Sequence, residues 1–249
     1  KILCSAAKHT VVFAIVLFLL WLLLFLSALI PNDMIRDNME QSALSYKERT
    51  AFEFADGKKL NSVADHYADS IWLNVSWNMG EDSPLISSIR TNYYDGGELG
   101  VNAGLYLSVT QGTEPNKDYT RYWHGTVMFI RLGHLITDVE GVKLIGFIAF
   151  LLLVGLTIFI LARKRHWDLA VILALSLAAV QIWNIRLSME YQPAFILAFV
   201  LVPLFLILER RGDKWLTILS VVSGTAVAFF DFLTTETVTI LLPLALVVA

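Results

Sequence analysis

Apolar residues in this chain come in long unbroken runs, and most acidic residues are gathered in one stretch between the first two runs. The first run is Thr10–Ile30. Crossing a bilayer takes about 20 consecutive apolar residues, so this run predicts a membrane helix. A cleaved signal peptide is the alternative, because Lys1 and Lys8 precede the run. A signal core, however, is only about 7–15 residues long and ends in a small-x-small cleavage site. This run is longer and ends Ala28-Leu29-Ile30-Pro31. Further spans are expected over Leu144–Ala162, Trp167–Ile185, Ala194–Leu208 and Trp215–Leu233, with a sixth beginning at Thr237. Pro203 in the fourth removes a backbone donor and can kink it.

The pattern changes between Pro31 and about Val142. Asp33–Phe54 has a helix-forming composition. In Val63–Trp77 the apolar residues Val63, Tyr67, Ile71 and Val75 recur at steps of four, which predicts one helix face, with Asn61-Ser62 able to cap its start. Asn92–Gly100 is glycine-rich and turn-like, and Gly112–Asp118 reads as a loop. Thr126–Ile136 mixes Val127, Phe129, Ile130 and Leu135 with Arg131 and His134, which predicts an amphipathic helix lying in the membrane interface before the second span. The expected fold is therefore all-α: a polytopic helical membrane protein with a helical extracytoplasmic loop domain between its first two transmembrane helices. Its parts are residues 1–30 (cytoplasmic end and first span), 31–142 (cap) and 143–249 (remaining spans).

Charge orients these spans. Lys1 and Lys8, Arg163-Lys164-Arg165, and Arg210, Arg211 and Lys214 fall on one side if the helices alternate. Short basic loops stay in the cytoplasm, so the N-terminus is expected there and residues 31–142 outside, in a plasma membrane. The sequence begins at Lys1 and stops within an apolar stretch at Ala249, which predicts that the native chain continues.

Composition agrees with the pattern: 56% of residues are hydrophobic and 16% charged, against about 25% charged in a soluble domain. A net charge of −3 without a basic, aromatic-interleaved stripe excludes a nucleic-acid partner. The lone cysteine, Cys4, precedes the first span, so the outer segment must hold by packing alone. A cysteine-free ectodomain suits a bacterial cell envelope. No phosphate-binding glycine loop, zinc-type Cys/His spacing or Gly-x-Ser-x-Gly is present.

Candidate chemistry lies in a few clusters. Asp65 and Asp69, four residues apart around His66, can share a helix face and hold a divalent cation or raise each other's pKa; a solvated helix face is the plain alternative. Arg121-Tyr122-Trp123-His124 is the densest polar-aromatic cluster, able to clamp a phosphate, exchange a proton and stack on a sugar; an aromatic belt is the alternative. Asp95 and Glu98 read as a turn. Gln181, Asn184, Arg186, Glu190 and Asp231 gather at outer helix ends, where Glu190 and Asp231 could floor a site roofed by the cap. Ser220, Gly224 and Ala228 read as a helix-packing stripe. The sequon Asn74-Val75-Ser76 falls in a predicted helix and is set aside.

One helix, a long helical outer loop and then closely spaced helices resembles the GT-C-type glycosyltransferases that use polyprenyl-phosphate-linked sugars. The resemblance is one of architecture over most of the chain. It departs from the family at Asp33 and Asp37, which are separated where the family often has an acidic pair. It implies a lipid-linked donor taken from the bilayer, a carboxylate activating the acceptor, and Arg121 or His124 steadying the departing phosphate. On this reading Asp65, Asp69, Arg121 and His124 are catalytic, and Tyr122, Trp123, Glu190 and Asp231 bind substrate. A membrane sensor or scaffold with an extracytoplasmic ligand-binding domain is the second reading. A transporter is the third, disfavoured by few buried charges and no paired broken helices.

Overall fold

The computed structural model describes residues 2–57, 62–80, 83–120, 123–230 and 236–248. It is mostly helical. Helix α1 (Ile2–Ala28) has neither glycine nor proline, and it stops shortly before Pro31, which disfavours helical backbone in Ile30. Then follow α2 (Asn32–Lys47), α3 (His66–Asn78), α4 (Pro84–Ser87), α5 (Gly100–Gln111), α6 (Val127–His134), α7 (Val139–Arg163), α8 (Trp167–Ala179), α9 (Gln192–Leu208), α10 (Asp213–Phe230) and α11 (Glu236–Val248). Among the described residues, four helices are long and apolar enough to cross a membrane: Ala6–Ala28, Val139–Arg163, Gln192–Arg211 and Asp213–Phe230.

Three expectations change. The third expected span is a 13-residue helix, α8, about 20 Å long where the hydrocarbon core is about 30 Å. It is broken by Gln181, whose φ is +55°, and a 3₁₀ turn follows over Ile182–Leu187. The segment 31–142 is not wholly helical. Phe52–Phe54 (β1) pairs antiparallel with Val63–Asp65 (β2), Phe52 opposite Asp65, and Asn92–Tyr93 (β3) pairs with Lys117–Asp118 (β4). The apolar step of four through Val63 therefore begins in a strand, and α3 starts at His66 with Asp65 as its cap. Finally, Ser220, Gly224 and Ala228 lie exposed on α10, whose buried stripe is Leu219, Ser223, Thr225, Val227 and Phe229.

The residues form two compact units. The first holds Leu20–Ile145 and Arg186–Glu190. Its centre is α3, buried along almost its whole length, against which α2, α5 and α6 pack. In α6 the basic residues turn inward: Arg131 and His134 are buried beside Val127, Met128 and Ile130, while Phe129 and Leu132, and Leu135 and Ile136 just after it, are exposed. The second unit holds residues 1–19, 146–185 and 191–249. Its core is apolar, built on Phe150, Leu173, Ala198, Phe199, Val202 and Leu206 with Phe150 edge-on to Phe199, and α9 packs on α10 and α11.

Candidate functional site

Asp69 sits one turn into α3 and is fully buried. A buried carboxylate is costly unless paired and hydrogen-bonded, and here both oxygens are engaged. Oδ2 accepts from the Tyr46 hydroxyl at 2.9 Å and faces Lys143 Nζ at 3.0 Å. Oδ1 accepts from Ser188 Oγ and from the Met189 backbone N–H, each at 2.8 Å. Lys143 Nζ also donates to the Tyr46 hydroxyl at 2.6 Å. Burial, and next the Asp69 carboxylate, push the Tyr46 hydroxyl well above its ordinary range.

A charged cavity of about 390 Å³ opens beside this hub. Arg49, Lys143 and Arg186 line it together with Glu53, His66 and Glu140. The cations come from three places: the end of α2, the first turns of α7 and the turn before Ser188. Arg49 Nη1 donates to Glu140 Oε1 at 3.3 Å, and the Asn102 side chain holds its carbonyl at 2.8 Å. His66 is buried; its Nδ1 lies 3.0 Å from the Thr50 carbonyl, so Nδ1–H donates there and Nε2 is left to accept from Arg49 at 3.3 Å.

Of the residues singled out from sequence, Asp65, Asp69 and Glu190 come together. Asp65 does not share a mid-helix face with Asp69. Its Oδ1 caps α3 by accepting from Ala68 N–H at 2.8 Å. Burial first, then the adjacent Asp65 carboxylate, push Glu190 up to about 8, so near neutral pH it keeps its proton. With Asp69 saturated by four donors and Asp65 capping a helix, the pair is not arranged as a cation site. Among the described residues no group of three His, Cys, Asp or Glu side chains could hold a metal ion.

His124 and Trp123 line a different cavity of about 480 Å³, with Leu24, Ser87, Arg90 and Asp118, and the two cavities share no lining residue. His124 is buried edge-on against Tyr119, and burial lowers its pKa to about 4. Arg121, Tyr122 and Asp231 lie outside the described residues. Asp95 is a loop anchor, held below the usual carboxylate range by Lys117 at 2.7 Å and by the Gly97 N–H. Asn74 of the sequon is buried and bonded to Tyr94 and Asn78.

Sequence reasoning missed Tyr46, Arg49, Lys143 and Ser188. Lys143 carried a signal: a lone cation at the entry of an otherwise apolar helix is a functional-site candidate by default. It also misjudged Arg131, which is fully buried and donates to the carbonyls of Ser27, Ile30 and Ser76 and to Asn32, closing the C-terminal end of α1. Compared with protein-family models, curated proteins and solved structures, the chain matches none.

Proposed function

We propose that this is a multi-pass plasma-membrane protein with a cytoplasmic N-terminus, whose segment 31–142 lies on the outer face and acts, glycosyltransferase-like, on a polyprenyl-phosphate-linked sugar. The observation that carries this reading is the cavity lined by Arg49, Lys143 and Arg186, because Lys143 sits in the first turns of a membrane-length helix and Arg49 is bonded to Glu140 in its first turn. Lipid phosphates meet a protein at that level, and cations fixed in a partly desolvated cleft suit a phosphate leaving group. The outward apolar face of α6 fits a cap that rests on lipid. In the reaction, the bond between sugar C1 and the phosphate oxygen breaks and the acceptor oxygen bonds to C1. The acceptor's proton passes to a carboxylate, and the polyprenyl phosphate departs against the guanidinium groups. Glu53 lines the cavity and suits the proton-accepting role better than Asp69, whose oxygens are occupied, or Glu140, which is paired with Arg49. Asp69 acts by holding Lys143.

The test uses the purified protein in nanodiscs, titrated with polyprenyl phosphate and, as control, the uncharged polyprenol. Saturable binding of the phosphate alone is expected, weakened about tenfold by Arg49→Ala or Arg186→Ala, the worth of one charge-assisted hydrogen bond. Equal binding of both lipids, or no loss in either variant, would refute the reading. Outside-only cysteine labelling at Glu98 and not at Arg163 tests the orientation.

A further inference from the structure

The first unit carries a second apolar edge, at α4. Leu85, Ile86 and Ile89 are 54%, 50% and 71% exposed. The same segment is tied to α1: Trp21 Nε1 donates to Ser88 Oγ at 3.1 Å, and Leu24 lines one cavity with Ser87, Ser88 and Ile89. Trp21 is seven residues before Ala28, the last residue of α1, which sets it about 10 Å from the helix end along the axis. Arg131, bonded to the carbonyls of Ser27 and Ile30, marks that end as the level of polar groups. A hydrocarbon core is about 30 Å thick, so Ser88 lies about a third of the way into it.

We propose that Pro84–Ile89 is a re-entrant wedge that enters the lipid beside α1, with Leu85, Ile86 and Ile89 facing acyl chains. The inference rests on α1 being a membrane span. Irregular backbone survives at that depth only where its polar groups find internal partners; here four backbone N–H groups and the Ser88 hydroxyl do, while the buried Ser87 hydroxyl makes no hydrogen bond. The N–H groups of Ser87, Ser88, Ile89 and Arg90 donate to the carbonyls of Ser83, Pro84 and Ile86 at 2.7–3.0 Å, and Pro84 has no N–H to satisfy. The Ser88 hydroxyl donates to the Leu85 carbonyl at 2.8 Å while accepting from Trp21. An indole N–H at hydrocarbon depth needs a protein acceptor of this kind. Arg90, next in sequence, turns to Asp118 at 2.9 Å, as a charge leaving the apolar layer should.

The experiment places an environment-sensitive fluorophore on single cysteines at Ile86→Cys and, separately, Ile89→Cys, in a Cys4→Ser background. Leu23→Cys on α1 and Glu114→Cys on the cap serve as references. All are exposed positions, so labelling removes no core. The full chain is reconstituted in vesicles of phosphatidylcholine whose acyl chains carry bromine at mid-depth or near the headgroup. The expected result is a blue-shifted emission at 86 and 89 with loss of intensity in brominated lipid, as at 23, while 114 responds only to aqueous iodide. Iodide quenching at 86 and 89 with bromine quenching at 23 overturns the wedge and leaves the span intact. Protection from both quenchers at 86 and 89 also overturns it, because a protein then covers the face. Iodide quenching at 23 as well overturns the membrane reading and the wedge together.

Discussion

The two units are held together by different forces. In the second unit, apolar side chains such as Phe150, Phe199 and Leu206 meet one another, and little but shape decides their places. In the first unit, the fully or nearly buried residues include Asp69, Lys143, Arg131, His66, His134, Asn74 and Asn78. Each of these side chains pairs a donor with an acceptor, so positions are fixed by directional chemistry as well as by volume. Lipid is as apolar as leucine, and helices within it associate through packing rather than the hydrophobic effect. A unit that works with charges must instead neutralise every group it buries. The first unit should therefore respond sharply to single polar changes, and the second should tolerate conservative apolar ones.

The largest effect is expected from Lys143→Met, which strands the Asp69 carboxylate. A loss of about 3–5 kcal/mol in the stability of the first unit is expected, read by thermal melts in detergent that follow the buried Trp72 and Trp77. Adding Asp69→Asn should return part of it, and an additive double variant would mean the two side chains are not coupled. Tyr46→Phe removes one hydroxyl between Lys143 and Asp69 and should cost about 1–3 kcal/mol in the same melts.

A gentler effect comes with pH. Glu190 keeps its proton to about 8 in the fold and to 4.5 ordinarily, so over that window the unfolded chain has lost a proton the fold retains, and stability falls as pH rises. His124 and His134 titrate near 4 in the fold, both through burial, against 6.5 ordinarily, so between those values the unfolded chain binds two more protons and stability rises with pH. The two rising contributions outweigh the falling one up to about 6.5, above which only Glu190 remains. Stability should peak near pH 6.5, and Glu190→Gln should remove the decline toward pH 8. The smallest effect is expected in the second unit. Leu206→Met, deep in its apolar core, should cost under about 1.5 kcal/mol; a larger loss would show that shape there is as exacting as the polar network.

The long apolar helices were legible because α1 and α7 carry runs that no other structure satisfies in lipid. α8 was not, because nothing in its composition marks the left-handed turn at Gln181. The step of four from Val63 through Tyr67 misled because alternate positions in a short strand joined to a helix give a similar spacing. Asp69 was visible as a candidate, but its partners Tyr46, Lys143 and Ser188 lie 23, 74 and 119 residues away, and no local pattern announces such contacts. Arg131 was misread because an interfacial helix is expected to turn its charges to water, whereas α6 turns them inward.

The brief return of Arg186–Glu190 to the first unit sets an order of events during synthesis. A nascent chain presents its N-terminal parts first, at about 5–20 residues per second. When Asp69 emerges, Ser188 Oγ and the Met189 N–H that will saturate its Oδ1 have yet to be translated. The shell of Asp69 therefore stays incomplete until α7 and α8, which lie between Asp69 and Ser188 in sequence, have been made. It closes late, only after Met189 has been made.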